Sequence, residues 1–166
     1  PTKVIFGRGT EARTGALCKE AGATKVLIHY GGHSAKKSGL IDRICASLQA
    51  EGISYTELGG VVPNPRLSKV YEGIELGRKE KIDFILAVGG GSVIDSAKAI
   101  GYGLTNEGDV WDYYTGKAPQ ACMPIGAVLT IAAAGSEMSN ASIITNENGW
   151  LKRGAYSPYA YCKLPL

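Results

Sequence analysis

The residues best placed to do chemistry lie in two glycine runs. Gly89-Gly90-Gly91-Ser92 follows the apolar stretch Phe84 to Val88, and Gly31-Gly32-His33-Ser34 follows Lys25 to Tyr30. Without a Cβ, the backbone of such a run lets its N–H groups come close to an anion. A helix that starts there adds the positive end of its dipole. Val93, Ile94, Ala97, Ile100 and Leu104 recur at helical spacing after the second run and predict that helix. Ser92 is placed to cap it, and Asp95, three positions on, completes a carboxylate variant of the capping box. Two readings follow. Either Ser92 and Asp95 only cap, or the loop holds a pyrophosphate. The second is favoured because one cap does not require three glycines.

Other chemistries fit less well. The G-x-G-x-x-G fingerprint needs glycine at position 94, and Ile94 is there. Gly31 to Ser38 is a near miss to a P-loop, with Lys36 in place of its second glycine. A Cβ would stand where backbone should wrap a phosphate, which leaves a nucleoside triphosphatase or P-loop-like phosphate binder as the weaker alternative. His29 lies in an apolar strand and reads as structural, whereas His33, in the glycine loop, can reach a ligand. Cys18, Cys45, Cys122 and Cys162 are too widely spaced for a zinc site and read as free thiols of a reducing, cytoplasmic compartment. No Cys/His or Ser/His/Asp set assembles from the sequence.

The elements that must position these loops alternate. Thr2 to Gly7 is β-rich, and Thr10 to Ala21 reads as a helix stopped by Gly22. Strands are expected at Lys25 to Tyr30, Ile53 to Leu58, Phe84 to Val88 and Ile125 to Ile131. Their continuous apolar character suits a parallel sheet buried on both faces. Helices follow at Leu40, Ile41, Ile44, Cys45 and Leu48, and at Leu67, Val70, Tyr71 and Ile74, the latter after the break Pro63-Asn64-Pro65. Asp109 to Tyr114 reads as a short helix and Ala133 to Glu137 as a small-residue turn. Ala141 to Asn146 and Trp150 to Tyr156 read as a hairpin turned at Asn148-Gly149, and the tail ends without helix or cap. Ligands of such a sheet bind beyond the strands' carboxyl ends, where the two glycine runs, the Pro-Asn-Pro segment and Thr130 to Ser136 converge.

Composition sets outer limits. The chain has 166 residues, which suits one domain, and 45% hydrophobic residues, which suits a soluble core. A net charge of +3 is too small to argue for nucleic acid or an anionic membrane as partner. No apolar run reaches the roughly 18 residues of a membrane span, and no signal peptide is seen. Glycine, at 23 of 166, is about twice its usual share of roughly 7%. Its clustering at the ends of apolar runs points to turns that approach something closely.

Taken together, IFGRGT, Tyr30 to Gly39, GGVVPNP (Gly59 to Pro65), AVGGGSVIDSAKAI (Ala87 to Ile100) and PIGAVLTIAAAGSEMS (Pro124 to Ser139) resemble the iron-containing alcohol dehydrogenase family. The likeness is strongest to its branch of NAD(P)H-dependent butanol dehydrogenases and aldehyde reductases. It implies an α/β domain with a Rossmann-like, mainly parallel sheet flanked by helices and a C-terminal β-hairpin. It also implies hydride transfer between a primary alcohol or aldehyde and a nicotinamide cofactor.

Carried over by residue, Gly90, Gly91, Ser92 and Asp95 match the pyrophosphate loop, and Gly31, Gly32 and Ser34 match the loop around the adenosine ribose. Asn64 lies in the segment near the adenine, Thr130 matches a cofactor-contacting threonine, and Lys152 matches a lysine beside the nicotinamide. Ala134 departs from the family's usual Thr and removes a hydroxyl contact.

The family's iron or zinc ligands, an Asp and three His, belong to a helical domain that this sequence is expected to stop short of, and the chain is expected to begin, at Pro1, inside the family's first hairpin, without the preceding strand. The chain is therefore expected to be a cofactor-binding half, inactive alone, with a homodimer among the assemblies it could form. A non-catalytic nucleotide-binding module and a lyase such as a dehydroquinate synthase are the alternatives; the Pro-Asn-Pro and Gly-Ser-Glu segments fit the lyase less well. NADP(H) is favoured over NAD(H). The strand Lys25 to Tyr30 ends in Gly31 rather than in an acid that would repel a 2′-phosphate, and Lys36 and Lys37 add positive charge.

Overall fold

The computed structural model describes residues 9–130, 139–160 and 164–165. The expected strand at 2–7, the turn at 133–137, Ala134 and Cys162 lie outside the described residues. Seven strands are described: β1 (Lys25–Tyr30), β2 (Ser54–Leu58), β3 (Phe84–Gly89), β4 (Ile125–Leu129), β5 (Ala141–Asn146), β6 (Leu151–Tyr156) and β7 (Leu164–Pro165). The α-helices are α1 (Thr14–Glu20), α2 (His33–Lys37), α3 (Leu40–Ala50), α4 (Leu67–Glu80) and α5 (Gly91–Thr105).

The main sheet has the order β2-β1-β3-β4-β7 and is parallel throughout. Register pairs Ile28 with Leu86 and Leu86 with Gly126. Strand alternation sorts the core into two layers. Val26, Ile28, Phe84, Leu86 and Val88 face α1 and α3 and meet Leu17, Ile41, Ile44 and Leu48. Leu27, Ile85, Ala87, Ile125 and Ala127 face α4 and α5 and meet Val70, Ile74, Ile94, Ala97 and Ile100. Each fully buried Leu, Ile or Val side chain stabilises the fold by roughly 1.5–3 kcal/mol, and coverage of both faces is why these strands read as unbroken apolar runs. This is the expected Rossmann-like arrangement, with the β5–β6 hairpin as a separate antiparallel pair.

Local outcomes differ from the sequence expectation in several places. The helix expected over Thr10 to Ala21 is a 3-10 turn, Thr10–Arg13, followed by α1, with Gly22 at φ 86 beyond the end. The residues His33–Lys37 form the short helix α2 rather than open loop. Strand β4 ends at Leu129, with Thr130 in a bend. Asn146 pairs with Leu151, so the hairpin loop has four residues rather than a two-residue Asn-Gly turn. Trp150 takes φ 51 in that loop, and Glu147 O accepts from its N–H, which moves the start of β6 to Leu151. The tail contains a 3-10 turn, Pro158–Ala160, and β7, which adds to the sheet edge beside β4.

Many glycines serve helix packing rather than turns. A methyl group at Gly73 of α4 would collide with Ile100 of α5, and one at Gly103 of α5 would collide with Ile74 of α4. The two helices therefore approach through reciprocal glycine and isoleucine contacts.

Candidate functional site

The crevice lies beyond the carboxyl ends of β1, β3 and β4, as an open parallel sheet requires. Its floor is the β3–α5 turn. Gly89 has φ 148, a conformation that needs glycine. Gly90 has φ −111 and ψ −161, which any residue can adopt, and Gly91 is already helical. The turn itself therefore accounts for only one of the three glycines.

Ser92 is not the cap. Gly90 holds that position, no side chain among the described residues caps the helix, and Ser92 is its second residue. The first intrahelical bond runs from Ile94 N–H to Gly90 O at 3.2 Å. The amides of Gly91, Ser92 and Val93 thus have no intrahelical acceptor, as at any α-helix start, and they lie where an anion would sit. The capping box also fails at Asp95. Its carboxyl turns toward the Ile143 N–H on β5 instead, and burial pushes its pKa up to about 6 against the opposing pull of Lys98 and Lys152.

Two adjoining cavities share Gly91 and Ser92. The smaller, about 350 Å³, is lined by Gly31, Gly32, Ala35, Val61, Val62, Pro63, Val88 through Val93, and Thr130. No carboxylate is among these lining residues. The larger, about 480 Å³, is lined by Asn64, Pro65, Gly91, Ser92, Asp95, Ile143 and Lys152. Nine of the ten expected cofactor residues therefore meet in one crevice, and the tenth, Ser34, is in α2, directly after the Gly31-Gly32 run. Asn64, expected in the segment near the adenine, accepts at Oδ1 from Lys152 Nζ at 3.0 Å. It stands at the same end of the crevice as the lysine expected beside the nicotinamide. Asn64 holds φ 56 between its two prolines, a left-handed conformation that asparagine tolerates better than most residues. Lys36, expected to add positive charge at the ribose end, has its Nζ 2.9 Å from Glu57 Oε1.

Sequence reasoning missed how the hairpin is fastened to this floor. Lys98, fully buried on α5, donates to Ser139 O at 2.7 Å and Ala141 O at 3.1 Å. Glu147 in the hairpin loop accepts from the Ser68 N–H at 3.1 Å and from its hydroxyl, so it caps α4 from 79 residues away. The Arg66 guanidinium lies 4.7 Å from the centre of the Trp150 ring. These links depend on backbone atoms or on distant partners, so no spacing rule could have shown them.

The structural reading of His29 and the free-thiol reading of Cys18 and Cys45 hold. His29 is fully buried; its Nδ1 donates to Leu58 O at 2.9 Å and its Nε2 accepts from Ser96 Oγ at 2.8 Å. Burial pushes its pKa down to about 4, so it is a neutral strut between β1, β2 and α5. Cys18 and Cys45 are free and buried, and burial pushes the Cys18 thiol up to about 12. Among the described residues no cluster of three or more His, Cys, Asp or Glu side chains could hold a metal ion, so they do not supply an iron or zinc site.

A parallel sheet flanked by helices, with a glycine turn at its carboxyl edge, defines a Rossmann-like α/β protein, and the comparisons narrow it further. The iron-containing alcohol dehydrogenase family matches residues 1–166, and the chain belongs to that family. It is 47% identical over its whole length to the probable NADH-dependent butanol dehydrogenase 1 of Bacillus subtilis, of which it covers 43%. It is 34% identical to the NADPH-dependent aldehyde reductase YqhD of Escherichia coli, with 96% of this chain and 41% of that protein covered. Among solved structures, the NADH-dependent butanol dehydrogenase A of Thermotoga maritima superimposes with a TM-score of 0.96 at 48% identity, covering 99% of this chain and 42% of that one. The chain thus spans less than half the length of these relatives.

Proposed function

We propose that this chain holds the nicotinamide dinucleotide of an alcohol dehydrogenase or aldehyde reductase acting on small primary alcohols or aldehydes, and that it takes NADP(H) in preference to NAD(H). One observation carries the nucleotide assignment. Gly90 and Gly91 are not required by the backbone, yet they open the helix start into the cavity. Close approach of a pyrophosphate explains both. The amides of Gly91, Ser92 and Val93 bind it, Gly31 and Gly32 leave room for the adenosine ribose, and Asn64 and Lys152 orient the nicotinamide half. Asn64 belongs with Lys152 at that end, since the two share a hydrogen bond. The cofactor supplies the hydride when bound; this chain's share is to bind, orient and exclude water.

The NADP(H) preference rests on the absence of a carboxylate among the residues lining the smaller cavity. The names of relatives include both NADH- and NADPH-dependent enzymes, so the residues at the ribose end decide. The chain by itself turns over no aldehyde, because the described residues offer no metal site to polarise the carbonyl. Free, buried Cys18 and Cys45 suit a reducing, cytoplasmic compartment.

Gly31→Asp tests the reading. A Cβ at Gly31 meets Val61 O at 3.4 Å and Val93 Cγ2 at 3.8 Å, which is ordinary contact, so the backbone there has room for a side chain, and circular dichroism checks that the variant folds. Calorimetric titration of the wild type should show NADPH bound about tenfold more tightly than NADH, and the Asp variant should reverse the order. Equal or tighter NADH binding by the wild type, with the ratio unchanged in the variant, sinks the preference.

A further inference from the structure

Between α5 and the hairpin lies a buried polar pair that the nucleotide site does not use directly. Ser142 on β5 is fully buried, and Tyr114, in the 3-10 turn Val110–Tyr114, is 3% exposed. Ser142 Oγ is 2.7 Å from Asp95 O and 2.7 Å from Tyr114 OH. A carbonyl can only accept, so the single serine hydrogen goes to Asp95 and the tyrosine donates to the serine oxygen. Burial holds the Tyr114 phenol well above its usual range, so it keeps that hydrogen. An Ala and Phe pair would fill nearly the same space without desolvating two hydroxyls. The hydroxyls are therefore not needed to fill the core, and the chain they form ends on the backbone of Asp95.

That end point has a consequence for the crevice. The next residue on β5, Ile143, gives its N–H to the Asp95 carboxyl and lines the larger cavity. Two residues beyond Ile143, Thr145 pairs with Lys152 across the hairpin. The geometry points to Ser142, held by Tyr114, as a positioning residue that sets the height of β5 on α5 and so places Lys152 and Asn64 over the helix start. This rests on the nucleotide reading above.

The test compares two ligands on the same protein. NADPH spans both cavities, whereas 2′,5′-ADP carries the adenosine half and no nicotinamide. Affinities for both are measured by calorimetry for the wild type, Ser142→Ala, Ser142→Thr and Tyr114→Phe. Losing one buried hydrogen bond at the positioning contact should weaken NADPH about tenfold in Ser142→Ala and about threefold in Tyr114→Phe, with 2′,5′-ADP unchanged and Ser142→Thr near wild type. If Ser142→Ala fails to fold, Tyr114→Phe, which keeps the serine–Asp95 bond, decides by the same comparison. Equal weakening of both ligands overturns the inference, because it reports general loosening. Unchanged NADPH affinity overturns it as well. A wild type that binds 2′,5′-ADP and NADPH equally well overturns it too, since the nicotinamide half is then not held. A wild type that binds neither sinks the nucleotide reading, and the inference falls with it.

Discussion

The β3–α5 turn and the seam between α4 and α5 are both rich in glycine, and they use it for different reasons. At Gly90 the backbone is in a region open to any residue, and space in front of it opens into a cavity. At Gly73 and Gly103 the space where a Cβ would be is already filled, by Ile100 and Ile74. One set lines a cavity, which the proposed function reserves for the nucleotide, and the other lets two helices pack at close range. Glycine content alone does not separate a binding loop from a packing seam. What separates them is that Gly90 lines a cavity, whereas protein atoms fill the place of the missing Cβ at Gly73 and Gly103.

Substitutions should pull the two regions apart. The largest effect is expected for Gly90→Val, which should lower NADPH affinity by at least about 100-fold while the thermal midpoint and circular dichroism stay near wild type. Loss of the fold in that variant would merge the two regions into one structural class. Gly103→Val should do the opposite. Overpacking the seam costs roughly 1–3 kcal/mol, read as a lower midpoint, with NADPH affinity unchanged well below it.

A smaller effect concerns Asp95. Its folded pKa, raised to about 6 by burial from an ordinary 3.8, means that folding penalises the charged form. The penalty is fully present above pH 6, shrinks as pH falls through that value, and is gone once the unfolded carboxyl is also protonated below about 3.8. Asp95→Asn should therefore raise the melting temperature at pH 7.5 and leave it nearly unchanged at pH 4; an equal rise at both would deny the burial cost. The smallest effect is expected for Glu57→Gln, which releases Lys36 from its 2.9 Å partner. The NADPH to NADH affinity ratio should rise by about threefold, within the range of an exposed pair. No change would place Lys36 out of reach of the 2′-position.

Much of this molecule was legible in its sequence. The apolar runs at Val26 to Ile28 and Phe84 to Val88, alternating with segments of helical periodicity, pointed to a parallel sheet covered on both faces, because helices between such strands cover both sides of the sheet. The glycine runs at strand ends marked the crevice, since ligand sites of these sheets follow from topology. His29 was readable as structural from its apolar surroundings.

Tertiary structure decided the rest. Whether Ser92 or Gly90 caps α5 depended on one backbone conformation, and composition does not encode a ψ angle. Asn64 meets Lys152 across 88 residues, Glu57 takes up the charge that Lys36 was expected to offer a ligand, and Ser142 bonds to Asp95 O. All three are contacts between segments brought together by the fold. Sequence periodicity reports which side of an element is buried. It carries no information on which distant polar atom waits there, and hydrogen bonds, with a reach near 3 Å, are set by that last ångström of placement.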